Sequence, residues 1–330
     1  MLDEDALPKS LHYSTDSAPG YSRTKRRGKF VYIDAKGHTL TNERELDRIA
    51  DLVIPPAWKD VWISSSAKGH LQVTGRDDKG RKQAIYHAEW HHLRAIQKFD
   101  HLHEFGIALP RIRSYIDEHL ALRGAPREKV LSAVVRLLET TYIRVGNERY
   151  EHQNNSFGLT TLRNEHACVT SDRIEFKFIG KSGKPHDVTL KNRTLSCIVK
   201  RCQELPGQHL FSYLDHEGNV HPVTSTDVNT FLQSVSGVAI TAKEFRTWGG
   251  TIEAVRLVRE NHPSQPREIA EVVKQVAKTL GNTPSVCRAH YILPDILDPT
   301  KNAKWIDLPL PRKKKYLDSF EVLFLEKIFL

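Results

Sequence analysis

The hydrophobic periodicity of the chain changes near residue 90, and this change constrains the fold more than any other feature of the sequence. Before it, short runs such as DVWISSS and HLQVTGR are separated by glycine-containing turns, a pattern typical of β-strands. Beyond it, apolar residues recur at helical spacing, for example at Leu131, Val134, Val135, Leu138 and Tyr142. The sequence therefore predicts an α+β fold, with a small, mainly β N-terminal domain at residues 1–90 and a mainly α C-terminal domain at residues 91–330.

The second domain is predicted to contain a β-hairpin. Residues 173–179 (RIEFKFI) alternate, so that Ile174, Phe176 and Phe178 share one face of a strand. The following GKSG is a turn and DVTL is the returning strand. Lys181 is therefore expected at the tip of the hairpin.

Residues 281–294 (GNTPSVCRAHYILP) predict a short helix. Thr283 is a good N-cap and Pro284 a good first helical residue. Tyr291 is then expected on this helix, which Pro294 helps to end. An isolated tyrosine on a short helix is usually a packing residue, so a function for Tyr291 needs other evidence.

The charge balance favours a polyanionic partner. The chain has 49 Lys and Arg against 40 Asp and Glu, a formal charge of +9, and nucleic acid is the commonest partner of such a chain. Residues 1–28 are predicted to be irregular, with a basic run at Arg23, Lys25, Arg26 and Arg27 that is either solvated or in contact with DNA. Residues 312–315 (RKKK) are expected to start a solvated helix or to contact phosphate, and the apolar end after them to dock on the second domain.

Several classes of protein are not expected. No run of about 18 apolar residues predicts a membrane span, and the acidic first residues do not resemble a signal peptide. The four cysteines form no C-x-x-C pair, which favours reduced thiols in the cytoplasm. The GKS at residues 180–182 resembles the end of a P-loop, but Glu175 stands where its first glycine is needed. His87 and His91 have a metal-ligand spacing without a supporting cysteine or carboxylate, so neither a metal nor a nucleotide cofactor is expected.

Four segments in order resemble the active-site blocks of type IB DNA topoisomerases of the small bacterial and poxviral branch: ETTYIRVGNERY, KFIGKSGKPH, KEFRTWGGT and GNTPSVCRAHYILP. NNSFGLTTL and VTGRDDKGRKQ are similar to the same family, and the resemblance extends from about Arg23 to at least Pro294. It implies the catalytic fold that these enzymes share with tyrosine recombinases. It also implies relaxation of supercoiled double-stranded DNA through a 3′-phosphotyrosyl intermediate, without ATP or metal, by a monomer associated with the nucleoid.

The same resemblance implies roles for individual residues. Tyr291 matches the nucleophile, Arg144 and Arg246 match the phosphate-binding arginines, and Lys181 matches the hairpin lysine. The family's K-x-x-R pair adds Lys243. Asn282 stands nine residues before the tyrosine, where poxviral and nuclear enzymes carry a histidine; an amide can donate a hydrogen bond to a phosphate but cannot shuttle a proton.

These residue types suit the chemistry. A tyrosine has a reference pKa near 10, so little phenolate exists at neutral pH. Attack on a phosphodiester increases negative charge on the non-bridging oxygens, which two permanently charged guanidiniums can stabilise. A positioned lysine can protonate the leaving 5′ oxygen.

The resemblance also implies DNA contacts outside the active site. The family encloses DNA in a C-shaped clamp, and Gln83, Tyr86 and Tyr150 match contact positions of poxviral enzymes, whereas Ala84 replaces a tyrosine. Phosphate contacts that position the protein without reading sequence are expected from Arg76, Lys79, Arg81 and Lys82.

Two alternatives remain. A tyrosine recombinase has similar chemistry, but typically carries H-x-x-R where this chain has Lys243 to Arg246, and a helical rather than β N-terminal domain. A DNA-binding relative without activity would not be expected to keep the complete set of catalytic residues.

Overall fold

A computed structural model describes residue 7, residues 9–262 and residues 265–329 of the chain; within helices, the side chains of residues 91, 92, 95–98, 100, 150 and 266 are outside the description. The chain divides into two compact units, residues 1–98 and residues 99–330. This division falls eight residues beyond the domain boundary predicted at residue 90, within a long helix. No helix in the described part of the chain is long and apolar enough to cross a membrane.

The first unit is built on an antiparallel five-stranded sheet with the order β2-β1-β3-β4-β5. The strands are β1 (Gly20–Arg26), β2 (Lys29–Ile33), β3 (Lys59–Ser64), β4 (Leu71–Arg76) and β5 (Lys82–Tyr86), and helix α1 is Glu43–Asp51. Asn42 caps α1 with its side chain. Ile49 of α1 packs with Val61, Ile63 and Val73 of the sheet, which forms a small apolar core. The predicted β character of this region is confirmed.

The prediction that residues 1–28 are irregular is wrong for β1, which lies between β2 and β3. Tyr21 packs against the core of the unit. The Arg23 guanidinium lies 4.3 Å from the centre of the Phe30 ring and donates to the main-chain oxygens of Ile54, Pro55 and Trp58. The hydrogen bonds of this strand arginine thus go to carbonyls in the loop between α1 and β3, which a local pattern cannot reveal.

The second unit is mainly helical. Helix α2 (Ala88–Leu120) begins before the division, and the following elements are α3 (Arg127–Thr141), α4 (Glu148–Asn154), β6 (Ala167–Val169), β7 (Arg173–Ile179), β8 (Pro185–Lys191), α5 (Arg193–Gln203), β9 (Ser212–Leu214), β10 (Val220–Pro222), α6 (Ser225–Ser236), α7 (Glu244–Asn261), α8 (Pro266–Thr279), α9 (Pro284–His290), α10 (Pro299–Asn302) and α11 (Ser319–Leu323). Strands β6, β7 and β8 form an antiparallel sheet in that order.

The predicted apolar faces form the core of this unit. The hairpin β7–β8 buries Ile174, Phe176 and Phe178, and α3 buries Leu131, Val134, Val135 and Leu138. These predictions are confirmed. Strand β6, which pairs with β7, was not predicted, because three residues are too few to show a periodicity.

The C-terminal segment docks on α7. Phe324 is fully buried and packs edge-to-face on Trp248, with 5.4 Å between the ring centres. Trp248 Nε1 also donates to Glu321 Oε1 at 2.9 Å, and Glu321 pairs with the guanidinium of Arg113. The predicted docking is confirmed, but residues 312–315 do not start a helix, since α11 begins only at Ser319.

Candidate active site

The backbone after α3 places Arg144. The helix ends at Tyr142, whose left-handed conformation (φ 54°) turns the chain away from the helix axis, so that Arg144 lies two residues beyond the C-cap. The Arg144 carbonyl accepts a hydrogen bond from the Leu159 amide at 2.9 Å. A Cβ atom on Gly158 would lie 2.6 Å from that carbonyl, so a glycine is needed for this close approach.

Arg246 on α7 is held by the ends of two other helices. Its side chain is buried, and the guanidinium donates to the main-chain oxygens of Tyr142 and Leu280, the C-cap residues of α3 and α8. Helix C-termini carry partial negative charge, which offsets part of the cost of burying a cation. Arg246 Nε is buried and has no acceptor in the part of the chain that the structure describes.

Tyr291 is the C-cap of α9, one residue beyond the helix on which it was predicted. The cap geometry agrees with the sequence, since the Thr283 side chain accepts from the Val286 amide. A Cβ atom on Gly250 would lie 2.5 Å from the Tyr291 carbonyl, so this glycine allows α7 and the end of α9 to touch. The Arg246 guanidinium lies 5.0 Å from the centre of the Tyr291 ring.

The electrostatics around Tyr291 favour its phenolate. Burial acts to raise the pKa of Tyr291, but the charges and hydrogen bonds of Arg246 and Arg144 outweigh it, and the net pKa is below the ordinary tyrosine value. Burial and then Arg144 lower the pKa of Arg246 to about 10, so it stays a cation at neutral pH. Nearby Tyr142 is affected oppositely: burial, followed by the carboxylates around it, raises its pKa to about 12.

Asn282 joins this group through its amide. Its Oδ1 accepts a hydrogen bond from Arg144 Nη2 at 2.6 Å. Its Nδ2 is buried and has no hydrogen-bond acceptor among the described residues. A buried donor without an acceptor is costly, so Asn282 Nδ2 and Arg246 Nε together suit an anion that enters the site.

The two lysines are placed differently. Lys181 is exposed on the 3₁₀ turn that joins β7 to β8, and Lys243 is exposed at the N-cap of α7. Neither side chain has a hydrogen bond or ion pair with any residue that the structure describes. The structure thus brings together Tyr291, Arg144, Arg246 and Asn282, and leaves both ammonium groups in solvent.

In the first unit, the cations expected to contact DNA are mostly paired with acids. Arg81 pairs with Asp77 at 2.7 Å, Lys82 with Asp16 at 2.5 Å, and Arg76 lies 3.9 Å from Asp60. Gln83 donates to Asp77 at 3.0 Å, and Tyr86 is half-buried with its ring centre 6.0 Å from that of His70. Among the described residues, the Lys79 side chain has no partner, and the Tyr150 side chain is outside the description.

Sequence reasoning missed His186, which borders the site from strand β8. Burial first, and then Arg144 and Arg246, lower the pKa of His186, so these arginines are close enough to act on it. The signal was available, since His186 lies in the block that carries Lys181. In the described part of the chain, no group of three or more His, Cys, Asp or Glu side chains could hold a metal ion.

Two family models match the chain, and several known proteins are similar to it. The family described as eukaryotic DNA topoisomerase I, catalytic core, matches residues 87–301, and bacterial DNA topoisomerase IB, N-terminal domain, matches residues 29–77. DNA topoisomerase 1B of Acanthamoeba polyphaga mimivirus is 29% identical over 286 residues, 83% of this chain and 85% of that protein. DNA topoisomerase 1B of vaccinia virus (strain Copenhagen) is 26% identical over 273 residues, 79% of this chain and 80% of that protein. A solved structure of the XerH site-specific recombinase bound to difH substrate is more distant, with 12% identity and a TM-score of 0.36 over 61% of this chain and 52% of that one.

Proposed function

The chain belongs to the type IB DNA topoisomerase family, and from that premise we propose how its residues cut and reseal one DNA strand. Tyr291 Oη attacks the scissile phosphorus and releases the phenol proton to solvent. The new bond joins the tyrosine to the 3′ phosphate, and the bond from phosphorus to the 5′ oxygen breaks. Resealing is the reverse reaction. Because the phosphotyrosine bond conserves the energy of the broken bond, no ATP is consumed.

One observation carries the proposal: arginines from two different segments lie at the tyrosine that would attack, with the Arg246 guanidinium 5.0 Å from the centre of its ring, and both lower its pKa. Arg246 comes from α7 and Arg144 from the segment after α3. As charge increases on the non-bridging oxygens, both guanidiniums can stabilise it without moving far, because Arg246 is fixed by two carbonyls and Arg144 by Asn282. Positive side chains then supply the stabilisation that a metal ion supplies in other phosphoryl-transfer enzymes.

Lysine supplies the remaining proton. We assign Lys181 to the leaving 5′ oxygen, because it is exposed at the tip of a hairpin, where bound DNA can be reached. Lys243 is a second cation for the phosphate, one turn of α7 before Arg246. When DNA enters, the cations of the first unit exchange their carboxylate partners for phosphates; ion pairs at the surface contribute little to stability, so little opposes the exchange. We also propose that the protein acts as a monomer, needs no nucleotide and is associated with the nucleoid.

Relaxation of a plasmid tests this function. The purified protein is expected to relax positive and negative supercoils in EDTA without ATP, because the proposed site uses only protein cations. Agarose gels of both topoisomer series measure it, with the Tyr291→Phe protein as the control. A strict requirement for magnesium or ATP would contradict the proposal, and production of recombinant rather than relaxed plasmids would favour a recombinase.

Replacing Asn282 tests its amide. Asn282→Ala is expected to slow single-turnover cleavage by on the order of 10²-fold, because one preorganised donor to the transition state is lost. DNA affinity should stay close to that of the wild type. Asn282→His is expected to keep substantial activity, because a neutral imidazole can accept from Arg144 and donate from its other nitrogen. Cleavage by the alanine variant at nearly the wild-type rate would make Asn282 only a loop residue.

A further inference from the structure

The ring of His186 lies between the two segments that carry Lys181 and Asn282. It stacks on its cross-strand neighbour Phe178, with 4.9 Å between ring centres and 4° between ring planes. Directly opposed side chains on one face of a sheet stabilise each other, so this stacking fixes the ring relative to the hairpin. The imidazole is half-buried.

One side of the ring covers Gly180, the residue before Lys181. A Cβ atom on Gly180 would lie 2.5 Å from His186 Cδ2 and 2.6 Å from Nε2, closer than atoms can approach. Gly180 closes the hairpin tip, since its amide donates to the Lys184 carbonyl at 2.8 Å. The imidazole therefore packs against the backbone from which Lys181 extends.

The imidazole also lies close to Gly281, the residue before Asn282. A Cβ atom there would lie 3.2 Å from His186 Cε1 and 3.7 Å from Nδ1, and Gly281 has a φ of +63°. The next residue, Asn282, accepts the 2.6 Å hydrogen bond from Arg144. A single ring thus touches the neighbours of two residues to which we assign roles in cleavage.

We propose that His186 is a positioning residue that holds the hairpin tip carrying Lys181 against the turn carrying Asn282, so that the lysine meets the leaving 5′ oxygen. This inference rests on the proposed function. The ring acts through its shape, because neither nitrogen has a hydrogen bond with any residue that the structure describes. Burial and the nearby arginines lower the pKa of His186, which keeps the ring neutral at physiological pH and avoids a third charge beside the guanidiniums.

A DNA substrate with a 5′-bridging sulfur at the cleavage site distinguishes misplacement of Lys181 from a general loss of structure in the active site. A thiolate leaves without the proton that an alkoxide needs, so loss of a correctly placed Lys181 should slow only the ordinary substrate. His186→Ala is expected to slow cleavage of the ordinary phosphodiester by on the order of 10²-fold, the effect of a small misplacement, and to cleave the sulfur substrate at nearly the wild-type rate. Lys181→Ala, assayed in parallel, gives the pattern that a lost proton donor produces.

Two further variants test the contact. His186→Phe should retain most activity, because a phenyl ring can stack on Phe178. Gly180→Ala should reproduce the defect of His186→Ala, since the new methyl group displaces the ring. The double variant should be no slower than His186→Ala alone, because without the imidazole the nearest neighbour of that methyl group is Phe178 at 3.6 Å.

His221 provides a matched control on another hairpin. It also stacks on its cross-strand neighbour, Tyr213, with 5.5 Å between ring centres, and His221→Ala should cleave both substrates normally. Wild-type cleavage by His186→Ala, an equal defect on both substrates, or a phenylalanine variant as slow as the alanine variant would each overturn the inference. If wild-type protein forms no adduct, or if the sulfur substrate does not rescue Lys181→Ala, the proposed function fails instead.

Discussion

Tyr291→Phe is expected to abolish the covalent protein–DNA adduct and to reduce relaxation by roughly 10⁴-fold or more, since a phenylalanine ring has no oxygen that can form the phosphate ester. DNA affinity should remain close to that of the wild type. The phenylalanine ring keeps the packing of Tyr291 beside Arg246, and the main-chain contact with Gly250 is unchanged. Denaturing gels with end-labelled DNA measure the adduct, and trapped wild-type protein should be attached to the 3′ phosphate.

Tyr142 offers the matched control. Its ring packs on Gly249, the neighbour of the glycine that touches Tyr291, and burial raises its pKa to about 12, which disfavours a nucleophile. Tyr142→Phe should therefore retain the adduct. An adduct that survives in Tyr291→Phe, or one at the 5′ phosphate, would mean that the attacking residue is a different one.

The parts of the fold that were predictable depend on local chemistry. The alternation of residues 173–179 determines which side chains of β7 are buried, and Thr283 with Pro284 determines where α9 begins. Such patterns work because caps and strand faces involve residues close in sequence. Strand β1 was missed because the partners of Arg23 are carbonyls more than thirty residues away.

The candidate site, too, was predictable only where the sequence itself carries the signal and not where distant residues meet. Four blocks in order implied that Tyr291, Arg144 and Arg246 belong together, through resemblance and not through any periodicity. What anchors Arg246 was not predictable, because every residue has a carbonyl and only the fold brings those of Tyr142 and Leu280 to it. The pairing of Lys82 with Asp16 was hidden for the same reason.

Arg246→Ala is expected to slow cleavage by about 10³-fold, because the variant loses a donor to the transition state and a charge beside the nucleophile. The pKa of Tyr291 in the DNA-free protein should also change. Burial raises the pKa of Tyr291, whereas Arg246 and, to a smaller extent, Arg144 lower it. Removing Arg246 should therefore raise the pKa of Tyr291 again. In the proposed reaction the phenolate attacks, and its fraction grows as the pH rises through this pKa; the pH–rate profile should therefore move to higher pH. Single-turnover cleavage measured across a pH series tests both effects.

Arg246→Ala should also destabilise the protein, which could by itself reduce activity. A variant of Arg259, on the same helix, is the control for this loss of stability. Arg246→Ala leaves the carbonyls of Tyr142 and Leu280 without their donor, so the melting temperature should fall. Arg259 also donates to two main-chain oxygens, those of Trp305 and Leu308. Arg259→Ala should thus lower the melting temperature while its cleavage rate and pH profile stay close to those of the wild type. If both variants lose activity in proportion to stability, or if Arg246→Ala leaves the pH profile in place, Arg246 supports the fold of α7 and does not act on Tyr291.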